Sequence, residues 1–125
     1  MHLSNTMSPH VLVVDDDDDL RETLAALLAE EGYEVSRAAN GVEALAAIDR
    51  DRPDVVLLDL MMPVLDGWQT LKILQRSPEH SKLPVVVLSG AASPGCCGYI
   101  PKPISLDRLL TLLATLRAQA GRRAN

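Results

Sequence analysis

A chain of 125 residues, 47% hydrophobic and 23% charged with 7 Gly and 8 Pro, has the size and composition of one soluble globular domain. Its net charge of −5, the acidic run Asp15 to Asp19 and the absence of a basic stripe argue against direct nucleic-acid binding. No apolar run approaches the roughly 20 residues that span a bilayer, and the first ten residues carry no secretory pattern; no membrane association and a cytoplasmic location are expected.

The elements alternate along the chain. Val11 to Val14 is a continuous β-branched run, as in a strand buried on both faces. Leu20, Leu24, Leu27 and Leu28 follow at helical spacing, and Gly32 ends that helix. Tyr33 to Ala38 alternates enough to suggest an edge strand. Asn40 with Glu43 three residues on forms an N-cap signal, and Val42, Ala44, Leu45 and Ile48 supply a second apolar stripe.

Asp54 to Leu58 is another buried strand. Asp66 caps a third helix, with Gln69 at the box position and Trp68, Leu71, Ile73 and Leu74 to bury. Pro84 opens a fourth strand, Val85 to Leu88, and a brief fifth lies near Tyr99 and Ile100. Ser105 caps a last helix reaching about Arg117. The division expected is an N-terminal extension over 1–9, one domain over 10–118 and a frayed tail over 119–125.

Buried strands alternating with amphipathic helices imply a parallel sheet covered on both faces. In such sheets functional groups gather beyond the carboxyl ends of the strands. Asp15 and Asp16 follow the first strand, Asp59 follows the third, Ser89 the fourth and Lys102 the fifth. Three carboxylates brought together repel one another, and Mg²⁺ with hard oxygen ligands resolves that repulsion. A carboxylate can itself be a nucleophile toward phosphorus, with the Ser89 hydroxyl and the Lys102 ammonium as partners for phosphoryl oxygens.

The stretches VLVVDD (11–16), DVVLLDLMMPVLDG (54–67), PVVVLSG (84–90) and YIPKP (99–103) resemble the successive signatures of bacterial two-component response regulator receiver domains. The match runs from about Val11 to Leu116. The resemblance implies a flavodoxin-like (βα)5 three-layer α/β sandwich with a five-stranded parallel sheet in the order 2-1-3-4-5. It implies that Asp59 is the phosphoacceptor, that Asp16 binds Mg²⁺ directly with Asp15 as its acidic neighbour, and that the Met61 backbone carbonyl is a further ligand. Ser89 and Tyr99 match the switch residues, and Lys102 matches the phosphate-contacting lysine, joined to Pro103 by a cis bond. Gly90 matches the small residue beside the switch hydroxyl. The implied phosphoryl donor is a histidine kinase or histidine phosphotransfer protein, and the implied receiver of the signal is an unidentified downstream protein.

The connection between the fourth and fifth strands departs from that pattern. Residues 90–97 (GAASPGCC) are fewer than the dozen or so a parallel crossover takes, so the helix there is expected to be absent or cut to a turn. This puts the family's usual dimerisation face in doubt and leaves the oligomeric state open. The adjacent Cys96 and Cys97 read as reduced thiols, since a bridge across one peptide bond is strained. Two other readings remain: a receiver-fold scaffold independent of phosphorylation, and a haloacid-dehalogenase-type phosphatase, which wants an aspartate where Met61 stands.

Overall fold

The computed structural model describes residues 8–62, 66–88 and 98–124, the last five of these in backbone only. In chain order the elements are β1 (His10–Val14), α1 (Asp18–Glu30), β2 (Glu34–Ala38), α2 (Gly41–Arg50), β3 (Val55–Asp59), α3 (Gly67–Arg76), β4 (Val85–Leu88), β5 (Gly98–Tyr99) and α4 (Leu106–Ala124). The five strands form one parallel sheet in the order β2-β1-β3-β4-β5, with β2 at an edge as its mixed composition predicts.

Strand parity sorts the core. Side chains alternate across a strand, so Leu12, Val14, Val56, Leu58 and Val85 face one side, where α2 and α3 bring Ala44, Ala47, Ile48, Leu71 and Leu74. Val11, Val13, Val55, Leu57, Val86 and Leu88 face the other, against Leu24 and Leu28 of α1 and Leu109 and Leu113 of α4. Three layers result. β1, β3 and β4 are buried at every position, which is why they read as unbroken apolar runs. Each fully buried Leu or Val contributes roughly 1.5–3 kcal/mol relative to exposure.

The caps stand where the sequence puts them. Asn40 Oδ1 accepts from Glu43 N at 2.9 Å, Asp66 Oδ1 from Gln69 N at 2.9 Å, and Ser105 Oγ from Arg108 N at 3.3 Å. Asp17 is the N-cap of α1, accepting from Leu20 N, and Gly32 follows that helix at φ +96°, a conformation without steric penalty only for glycine. Asn40→Ala should cost about 1 kcal/mol in urea unfolding, whereas an unchanged midpoint would mean that the cap carries no weight.

Several expectations need correction. Val42 and Ile73 are exposed, at 55% and 44%. The face α2 buries is Gly41, Ala44, Ala47 and Ile48, and that of α3 is Gly67, Thr70, Leu71 and Leu74. Small residues let these helices lie close to the sheet, and buried Thr70 satisfies its hydroxyl on Asp66 O at 2.9 Å. Trp68 is 40% exposed. β3 runs one residue later than expected because Asp54 is taken up elsewhere, its carboxylate accepting from His10 N at 2.7 Å. The last helix continues to Ala124, so 119–124 of the tail expected to fray are helical. One expectation stands: the bond between Lys102 and Pro103 is cis. The described residues hold four helices; the expectation of a missing or shortened helix falls on 89–97, outside the described residues, together with Ser89, Gly90, Cys96 and Cys97.

Candidate functional site

β1 and β3 are central neighbours, in register from Val11↔Val55 to Val14↔Leu58. One step beyond that last pair, at the carboxyl ends, stand Asp15 and Asp59. Oxygens from Asp15, Asp16 and Asp59 all lie within 4.8 Å of one another. Asp15 is wholly buried and Asp59 nearly so, whereas Asp16 is exposed. The third strand-end contribution comes from beyond β5. Lys102 Nζ reaches Asp15 Oδ2 at 3.3 Å and Asp59 Oδ2 at 3.5 Å.

The backbone holds the carboxylates from the other side. Asp17 N donates to Asp15 Oδ1 at 2.9 Å, and Met61 N donates to Asp59 Oδ1 at 3.1 Å. Asp15 Oδ2 accepts no hydrogen bond although it is buried, because the Lys102 ammonium is close enough for charge pairing but not aligned for one. A buried carboxylate oxygen with free lone pairs is costly unless a cation uses it.

Electrostatics point the same way. Burial pushes the Asp59 carboxyl up to about 6, helped by the neighbouring Asp15 charge and opposed by the Met61 N–H and by Lys102. Burial alone would lower the Lys102 ammonium, but the Asp15 and Asp59 charges outweigh it and hold it above the usual lysine range. Among the described residues, the Lys102 ammonium reaches two of the three clustered carboxylates. The donor set is hard oxygen, carries excess negative charge and has an unfilled buried acceptor, so it fits a divalent cation such as Mg²⁺.

Of the residues singled out by sequence, Asp15, Asp16, Asp59 and Lys102 come together. Met61 joins through its amide, with its side chain 75% exposed. Tyr99 lies in β5 opposite Val87 and is half-exposed. Ser89 lies outside the described residues. A further residue at the site is Gly67, the first residue of α3, buried, with its N–H donating to Leu60 O at 3.1 Å. A Cβ there would run into the Asp59 carbonyl oxygen and stand 2.5 Å from Leu60 Cα. The Asp66-Gly67 pair so soon after Asp59 was the available signal.

The profile of the "Response regulator receiver domain" family matches residues 11–114. The chain belongs to the response regulator receiver domain family. Among curated relatives, the receiver is 41% identical over 119 aligned residues to response regulator MprA of Mycobacterium tuberculosis (strain H37Rv), covering 88% of this chain and 51% of that protein. MprA of Mycobacterium leprae is 40% identical over 115 residues, covering 85% and 50%. The chain thus spans about half the length of the curated relatives it matches.

Solved receivers share the fold. The chemotaxis protein CheY4 of Vibrio cholerae superposes with a TM-score of 0.80 at 32% identity, covering 87% of this chain and 98% of that one. The receiver domain of the Francisella response regulator 1452 gives 0.82 at 34%, covering 90% and 99%. The receiver domain of a signal transduction histidine kinase from Syntrophus aciditrophicus gives 0.83 at 27%, covering 90% and 92%. This receiver is therefore a signalling domain of the flavodoxin-like class. No described helix is long and apolar enough to cross a membrane.

Proposed function

We propose that Asp59 accepts a phosphoryl group from a phosphohistidine on a histidine kinase or phosphotransfer protein, and that the modified receiver changes its affinity for a downstream protein in the cytoplasm. The observation that carries this reading is the convergence of Asp15, Asp16, Asp59 and Lys102 at one end of the sheet. In the transfer, an Asp59 carboxylate oxygen attacks phosphorus, the P–N bond to the donor imidazole breaks, and the imidazole leaves with its electron pair and takes up a proton. Asp15 and Asp16, with Asp59 and the Met61 carbonyl, would hold Mg²⁺. Bound there, the ion would neutralise charge on the phosphoryl oxygens and orient them for in-line displacement.

The chain's own groups do the rest. The Met61 N–H fixes one Asp59 oxygen, which leaves the other as the attacking atom. Lys102, already between Asp15 and Asp59, supplies an ammonium for a phosphoryl oxygen once the new group displaces it from the carboxylate. Ser89 and Tyr99 are read as the hydroxyl and the aromatic that reorient when Asp59 is modified. Hydrolysis of the acyl phosphate by water resets the switch, so the receiver assists only its own modification and its reversal.

The test is intact-mass measurement after incubation with Mg²⁺ and a small acyl phosphate. The expected result is a gain of one phosphoryl group that requires Mg²⁺ and vanishes in Asp59→Asn. No adduct on the wild-type chain, or an adduct that persists in Asp59→Asn, would defeat the reading.

A further inference from the structure

The loop that carries Asp15 and Asp16 is held by a residue outside the acidic cluster. Arg21 projects from the first turns of α1 with its side chain only 14% exposed. Its Nη1 donates to the Asp15 backbone carbonyl at 3.0 Å. That carbonyl belongs to the peptide joining Asp15 to Asp16, so fixing it restricts ψ of the first residue and φ of the second. Two carboxylates are therefore aimed by one hydrogen bond.

The guanidinium is itself fixed on both remaining edges. Nη2 pairs with Asp18 at 2.8 Å and Nε with Glu22 at 3.3 Å. Glu22 in turn takes Arg37 Nε of the edge strand at 2.8 Å. A planar fork with three engaged donor atoms has little freedom left, which a lysine ammonium cannot reproduce. Two acids already balance the Arg21 charge, so its effect at the metal-binding loop is one of geometry.

We propose that Arg21 is a positioning residue, acting through the Asp15 carbonyl to set the metal-binding geometry of Asp15 and Asp16. This rests on the reading of that acidic cluster as a Mg²⁺ site. Residues that orient metal ligands typically cost about 10–100-fold in metal affinity when removed.

Calorimetric titration with MgCl₂ and amide hydrogen exchange of the metal-free protein test it together. Arg21→Ala should weaken Mg²⁺ binding by about tenfold or more, and should speed exchange at the Asp17 amide, which bonds Asp15 Oδ1. Arg21→Lys, which keeps a cation and the pairing with Asp18, should recover part of both effects and serves if the alanine variant does not fold. Glu22→Gln, which frees one edge of the fork, should move both readouts the same way by less. Wild-type Mg²⁺ affinity in a folded Arg21→Ala, or weakened binding with Asp17 protection unchanged, would overturn the proposal. If the wild-type chain takes up no Mg²⁺, the reading of the site fails and the proposal falls with it; the Asp17 amide then shows separately whether Arg21 braces the loop.

Discussion

Gly67→Ala should lower the stability of this receiver by about 3 kcal/mol in urea unfolding and slow phosphoryl uptake at Asp59. An alanine early in a helix ordinarily helps by up to about 1 kcal/mol. Here the added methyl meets the Asp59 carbonyl oxygen and Leu60 Cα, which are backbone atoms with no rotamer to escape into. Relief requires α3 to retreat from the end of β3, which carries the Asp59 side chain with it. Gly98→Ala is the control. Its Cβ would stand 2.8 Å from Leu112 Cδ2, the movable end of a side chain, so its cost should stay within about 1 kcal/mol. A Gly67→Ala protein as stable as wild type would mean that the helix start has room the structure denies it.

Asp59→Asn should stabilise the metal-free protein at pH 7.5 and do so by only about a third as much at pH 4.5. The Asp59 carboxyl titrates near 6 in the folded chain, above the usual 3.8, chiefly because it is buried. Between those two values the folded state binds more protons than the unfolded one, so the group's contribution to stability falls as pH rises. Below the lower value the contribution is fully present; above the higher value the penalty is complete. The interval from 3.8 to about 6 sets a ceiling of about 3 kcal/mol, and the neighbouring Asp15 and Lys102 charges bring the expected gain to about 1–3 kcal/mol. Urea unfolding of both proteins in chelator at the two pH values measures it as a double difference. An equal difference at both pH values would assign the effect to something other than Asp59 ionisation.

The sheet was legible because its central strands are buried on both faces and therefore written as unbroken runs, VLVV and VVLL among them. The helix starts were legible because Asn40, Asp66 and Ser105 have short side chains that can accept from N–H groups three residues on. The acidic site followed from topology, since strand ends in a parallel sheet meet whatever their separation in sequence.

What escaped was decided by size and by side-chain direction. Val42 and Ile73 look like core residues by hydrophobicity, yet Gly41, Ala44 and Ala47 in one helix and Gly67 and Thr70 in the other take the buried positions because they permit close approach. The contact of Arg21 with the Asp15 carbonyl joins a side chain to a backbone atom six residues away, and nothing in the order of residues announces it. The reach of α4 to Ala124 ran past the polar segment that seemed to end it.

Among the described residues β5 joins the sheet at two positions, Val86↔Gly98 and Val87↔Tyr99, whereas β1 is paired from Val11 to Val14 on both sides. The carboxylates thus stand on the best-paired strands of the sheet, and the cation that faces them follows its least-paired described strand. Lys102 is then a tether whose tension depends on the charge it finds. On the proposed reading, negative charge added at Asp59 would pull on Lys102 and, through it, on this margin of the sheet.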